Sequence, residues 1–216
     1  MMIVSVNVGM PRDVKWRGKI VSTAIFKAPV HERVKVNLFN IEGDKQADPS
    51  VHGGHDKAVY AYAAEHYESW ERELGRSDLA WGHFGENLTI EGGLFEDTVF
   101  VGDRFRVGTA EIMAVQPRLP CFKLGIRFGT QRIVRRFAQS GRLGIYFRVT
   151  HEGRVGGGDR MEKTVASIHK VSIADLGHLL LGHQTTHTLA RRASDIEILP
   201  ERIRTYIKSL VDPSLP

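Results

Sequence analysis

The chain has one cysteine, Cys121, set in Gln116-Pro117-Arg118-Leu119-Pro120-Cys121-Phe122-Lys123. A lone thiol is often a small packed hydrophobe. Here Arg118 and Lys123 lie within three residues of it, and neighbouring cations favour the thiolate, the form that attacks or binds metal. Pro117 and Pro120 stiffen the approach and limit where the sulfur can go. One cysteine excludes an internal disulfide and a multi-cysteine zinc site, whereas a metal already chelated by a cofactor needs only one soft protein ligand. From the residues alone, the packed thiol and the reactive one both stay open.

Two other stretches carry chemistry. In His52-Gly53-Gly54-His55-Asp56-Lys57-Ala58-Val59-Tyr60, the glycines let backbone approach a ligand, their N–H groups suit an oxyanion, and Lys57 adds a point charge. A solvated glycine-rich turn reads the same way. In Phe84-Gly85-Glu86-Asn87-Leu88, Asn87 offers donor and acceptor together, as a heterocycle edge requires; polar turn chemistry before a strand is the alternative.

Charge points to the same region. The net charge is +5, and between Glu111 and Glu152 there are eight cations (Arg118, Lys123, Arg127, Arg132, Arg135, Arg136, Arg142 and Arg148) and no acid. That predicts a positive field around Cys121, suited to an anionic ligand. From Ser172 onward, five basic and five acidic residues cancel. Other signals fail on their chemistry. His183 and His187 have zincin spacing, but Gln184 replaces the glutamate base. The glycines at Gly153–Gly158 lack a following helix, and no P-loop motif occurs.

The elements that must position these residues read mainly as strands. With 216 residues, 42% hydrophobic and 25% charged, the chain has an ordinary globular balance, and no apolar run approaches the roughly 20 residues of a membrane span. No secretory signal opens it, so a cytoplasmic protein is expected. Ile3–Val8, Gly18–Ile25, a hairpin of Asp103–Val107 with Ala110–Val115, Leu143–Thr150 and Thr164–Lys170 carry strand patterns. Helices are expected over Ala64–Leu74 and Thr130–Gln139. After Ser172 the period turns helical, with segments at Ser172–Leu181, Thr185–Ala193 and Pro200–Leu210. The organisation expected is a mainly β domain over 1–171, a barrel or sandwich, followed by a three-helix unit over 172–216. That tail is expected to dock a partner and to stay outside the catalytic pocket.

Taken together, the His52–Tyr60, Phe84–Leu88, Gly102–Gly108 and Gln116–Leu124 motifs resemble MOSC domains (molybdenum cofactor sulfurase C-terminal domains), most closely the YiiM branch, and the tail is similar to that branch's three-helix domain. The resemblance implies a β-barrel with inserted helices holding a molybdenum cofactor (molybdopterin), with Cys121 as the metal ligand. It implies two-electron reduction of N-hydroxylated compounds such as N-hydroxylaminopurines to amines, a detoxification activity. By the same resemblance, His52, Gly53, Gly54, Lys57, Asn87, Arg118 and Lys123 hold the cofactor, and His66 or Glu86 delivers protons. Electrons would come from a separate reductase, since no flavin or iron–sulfur motif is present; no pyridoxal phosphate requirement is expected, and a homodimer is compatible with the pattern. His55 stands where many relatives carry proline, a departure that bears on the shape of that loop. Two other functions fit parts of the sequence: a sulfur carrier using a Cys121 persulfide, and a nucleic-acid-binding module, for which the arginines lack interleaved aromatic residues.

Overall fold

The computed structural model describes residues 1–48, 53–183, 185–212 and 214. Twelve strands are described: β1 Met2–Val8, β2 Arg12–Trp16, β3 Lys19–Thr23, β4 Ala28–Val30, β5 Val34–Val36, β6 Val59–Ala63, β7 Leu88–Glu91, β8 Arg104–Val107, β9 Ala110–Pro117, β10 Ile145–His151, β11 Gly153–Val155 and β12 Met161–Val165. The helices are α1 Glu65–Leu74, α2 Phe122–Phe128, α3 Arg132–Ser140, α4 Ile173–Leu180, α5 His187–Ser194 and α6 Glu201–Val211.

Alternation decides the strands. In β8 and β10, every second residue is buried, as a sheet with one covered face requires. β6 is buried throughout, because helices and sheet cover both of its faces. One eight-stranded sheet runs β12-β8-β9-β10-β6-β7-β1-β4, with only β6 and β7 parallel; β11 pairs β5 and β2 pairs β3 in two small ribbons. The sheet curls until β1 meets the approach to β12, through an isolated bridge between Met2 and Arg160 and a Met161 N–H donated to the Met1 carbonyl at 2.9 Å. It does not close into the expected barrel by a continuous ladder. After Met161, β12 is exposed on both faces, so it has no apolar stripe to lay along β1. The last predicted strand also shifts, from Thr164–Lys170 to Met161–Val165.

The tail forms three helices, as its period predicts. Ser172 accepts from the Asp175 N–H at 2.9 Å while Asp175 accepts from the Ser172 N–H at 3.0 Å, a capping box that starts α4. Ile173, Leu176, Leu179, Ala193, Leu199 and Ile207 belong to the same buried cluster as the sheet residues Ile112, Ile145 and Phe147. The helices are therefore packed against the sheet through one continuous core. Among the described residues, no helix is long and apolar enough to cross a membrane.

Candidate functional site

Cys121 is placed by a helix that the sequence pattern does not announce. It is the N-cap of α2, in extended backbone (φ −129°, ψ 171°), and its carbonyl accepts from the Leu124 N–H at 3.0 Å. Leu124 is fully buried in a second, aromatic-rich cluster with Tyr60, Tyr62, Trp70, Phe84 and Phe137. Gly125 has no side chain because Gln131 crosses there: an added Cβ would lie 2.1 Å from the Gln131 amide nitrogen, which donates to the Phe122 carbonyl at 3.0 Å. The turn holding the sulfur is thus anchored from below by packing and from the side by one amide.

A cleft open to solvent runs beside Cys121. Among the described residues, five cations, Lys27, Lys45, Lys57, Arg118 and Lys123, and one acid, Asp44, line it. Asp44 is buried and fully used: it pairs with Lys27, accepts the Gly9 N–H at 2.8 Å, and accepts from the Asn87 amide at 2.9 Å. Burial pulls the Lys27 ammonium below the usual lysine range even with Asp44 beside it.

Arg118 is the most telling residue. Its side chain is 6% exposed, pairs with no carboxylate among the described residues, and holds Nη1 without a hydrogen-bond partner. It lies over the rings of Tyr60 (5.4 Å) and Phe137 (5.3 Å), close to Tyr146. A guanidinium keeps its charge under all ordinary conditions, so this is a buried cation with one unused donor in a residue that lines a cleft. Tyr60 is itself fixed, by its hydroxyl donating to the Leu143 carbonyl at 2.9 Å.

The remaining predicted residues divide. Lys57 and Lys123 line the cleft. Lys57 ends a short 3-10 turn, His55–Lys57, held by Asp56, which pairs with Arg148 (Nε to Oδ1, 2.8 Å) and whose carbonyl accepts from Gln116 at 3.2 Å. Gly53 and Gly54 precede that turn and do not line the cleft; His52 lies outside the described residues. Asn87 lines the cleft, yet its amide is committed to Asp44 and the Tyr60 N–H, so it supports Asp44 rather than reading a ligand edge.

The two expected proton donors are drawn elsewhere. Glu86 is fully buried and accepts from Tyr67, Thr89 and the N–H groups of Gly82 and Phe84; desolvation raises its pKa. His66 sits on α1 against Glu96 at 3.0 Å. Neither side chain lines the cleft, because each satisfies a buried polar partner inside the fold.

The positive run is also less concentrated than its count implies. Arg136 and Arg142 pair with Glu73, and Arg148 with Asp56, acids that lie far away in sequence. Arg127 lies over Phe26, and Arg132 and Arg135 are exposed on α3 away from the lining, which leaves Arg118 and Lys123 as the members at the cleft. Lys27, Lys45 and Tyr146, which sequence reasoning missed, also line it. His183 and His187 gather no third metal-ligating residue among the described residues.

The tail does not stay outside. Arg202, Ile203 and Tyr206 of α6 form the wall of a second cleft that reaches Cys121 from its other side, contrary to the expectation that the tail is remote from the pocket. A tail that is charge-balanced as a whole can still present a single cation to a cleft, which composition does not register.

The described donors suit an anionic cofactor with a soft metal: one accessible sulfur, an excess of cations, and a buried Arg118 donor without a partner. Comparison with known proteins agrees. The MOSC domain family matches residues 48–162. Protein YflK of Bacillus subtilis strain 168 is 46% identical over 160 residues, 74% of this chain and 72% of its own. A protein named Reductase from Gibberella moniliformis is 29% identical over 92% of this chain, which spans 37% of that longer protein. The crystal structure of YiiM from Geobacillus stearothermophilus superposes with a TM-score of 0.81 at 31% identity, covering 97% of this chain and 98% of that one.

Proposed function

Because the chain belongs to the MOSC-domain family, we propose that it is a molybdenum-cofactor enzyme that reduces N-hydroxylated compounds to amines, with Cys121 as the protein ligand to the metal. The observation that carries this reading is Arg118, a buried cation with an unpartnered donor in the cleft beside Cys121. The cofactor, when bound, supplies the two-electron redox chemistry.

The chain's own part is binding, orientation and proton supply. Arg118, Lys45 and Lys123 hold the anionic end of the cofactor, with Lys27 neutralised in part by Asp44. The extended N-cap backbone and the Leu124 anchor fix where the sulfur points. Lys57 lines both clefts, and burial, followed by Arg202, pulls its ammonium below the usual lysine range; it holds a proton on Nζ at the place where the substrate oxygen leaves. The balance is R–NHOH + 2e⁻ + 2H⁺ giving R–NH₂ and H₂O, the electrons coming from a separate reductase.

The test is activity of the purified protein on N-hydroxylaminopurine with reduced viologen as electron donor. Protein from a cofactor-producing host is expected to form the amine, and protein from a cofactor-deficient host is not. Equal rates from both preparations would overturn the proposal.

A further inference from the structure

The solvent face of α3 is built against helix stability. Its inner side is ordinary, with Ile133 and Phe137 buried in the aromatic-rich cluster. Outside, Arg132, Arg135 and Arg136 stand at i, i+3 and i+4 and are all exposed. Like charges at these spacings repel, and no acid occupies the first turn, where the helix dipole favours one. Arg136 has a partner: it donates to the Glu73 carbonyl at 2.9 Å and faces the Glu73 carboxylate at 3.8 Å. Arg132 and Arg135 form no ion pair among the described residues. They weaken the helix locally and gain nothing inside the chain, the mark of a surface kept for something outside it.

This face adjoins the candidate reaction centre. The Gln131 amide donates to the Phe122 carbonyl at 3.0 Å, which joins the start of α3 to the start of α2. Leu119 and Phe122 flank Cys121 and leave 43% and 48% of their surface in water. Two bare apolar side chains beside the sulfur, with cations next to them on α3, have the make-up of a small interface with a charged rim. No acid interrupts the chain between Glu111 and Glu152 to weaken that field. A second copy of the chain fits poorly, because two-fold pairing would set the arginines against each other. A nucleic acid would use the arginines, but one exposed ring among them offers no stacking run. An acidic protein that must bring electrons to this centre uses both the apolar pair and the cations.

We propose that Leu119, Phe122, Arg132 and Arg135 form the docking surface for an acidic electron-transfer protein. The inference rests on the reading that a separate reductase feeds the reaction. The carrier is oxidised by the same two electrons, delivered singly or as a pair, that reduce the N–O bond. Its binding is then governed by charge at long range and by Phe122 at contact.

The experiment is calorimetric titration of the cofactor-loaded protein with two acidic carriers, flavodoxin and a plant-type iron–sulfur ferredoxin, and with oligothymidylate. At least one carrier is expected to bind, with affinity falling about tenfold or more as salt rises from about 20 to about 200 mM. R132E/R135E is expected to weaken that binding about tenfold or more, and F122S about threefold or more. The double variant keeps its fold, since both side chains are exposed and acids suit this end of the helix; thermal unfolding checks it. Turnover with reduced viologen should stay within about twofold in both variants, while kcat/KM for the carrier falls with its affinity. Binding by neither carrier, an affinity unchanged in either variant, or tighter binding of oligothymidylate than of both carriers would overturn the proposal. The titrations involve no turnover. Carrier binding lost in the variants of a protein that makes no amine would therefore contradict the proposed reaction and leave this surface standing. Carrier-supported amine formation unaffected by the variants would do the reverse.

Discussion

Replacing Arg118 with methionine separates a ligand-binding cation from a structural one. In the cofactor-free protein, the substitution loses two cation–π contacts, about 0.5–2 kcal/mol each for partly desolvated geometry. Against this, it removes a buried charge with no carboxylate partner and one unsatisfied N–H, whose desolvation alone costs about 1–3 kcal/mol. Methionine fills the same slot with a flexible apolar chain. The terms nearly cancel, so R118M should unfold in urea within about 1–2 kcal/mol of the unmodified protein. Ligand binding has no such compensation. Loss of a charged hydrogen bond worth about 1.5–3 kcal/mol weakens anion affinity about 10- to 150-fold, measurable by titrating inorganic phosphate into cofactor-free protein. A structural Arg118 would behave in the opposite way. A loss of about 3–5 kcal/mol in stability, the cost of breaking a buried ion pair, with phosphate affinity unchanged would refute the assignment.

Three further outcomes follow from the packing. His83 is buried against Phe84 and Phe128, and burial, with Arg127 and Arg76 adding to it, pushes its pKa from 6.5 down to about 4. The unfolded chain binds that proton first, so stability is complete above the unfolded value and falls as pH drops toward 4; from pH 7.5 to 5 the urea-derived loss should be about 2 kcal/mol, and smaller by that amount in H83F. Gly144 has φ +68°, and an added Cβ would lie 2.6 Å from the Tyr60 ring, so G144A should destabilise the fold by about 1–3 kcal/mol and weaken phosphate binding as Tyr60 shifts beneath Arg118. Cys121 is only half-buried, so C121A should cost less than about 1 kcal/mol in thermal denaturation; a larger loss would mark it as a core residue.

Much of the fold was legible where period and punctuation were strong. The Asp103–Val115 hairpin, the Ala64–Leu74 helix and all three tail helices fall within a few residues of their expected places. The missing pieces share a physical cause. Helix α2 has seven residues, follows two prolines and contains Gly125, so local propensity does not mark it; it forms because Leu124 and the Gln131 amide hold it. β6 has no polar alternation, being covered on both faces.

The site was legible through Cys121, Arg118, Lys57 and Lys123, whose types and spacing mark an electropositive thiol. Linear counting could not see that Glu73 and Asp56 neutralise part of the basic run, or that Lys27 and Lys45 reach the cleft from the first fifty residues. The family resemblance implies His66 or Glu86 as the proton donor. Their partners, Glu96 and the Tyr67–Gly82–Thr89 cage, come together only in three dimensions.

Molybdenum content, measured side by side for the unmodified protein and C121A from a cofactor-producing host, tests the central claim most directly. Close to one molybdenum per chain is expected in the unmodified protein, and its loss, together with loss of amine formation, in a C121A protein that remains folded. Full molybdenum occupancy and activity in C121A would contradict the ligand assignment. Thiocyanate formed when cyanide is added to metal-free unmodified protein would instead identify Cys121 as a persulfide carrier.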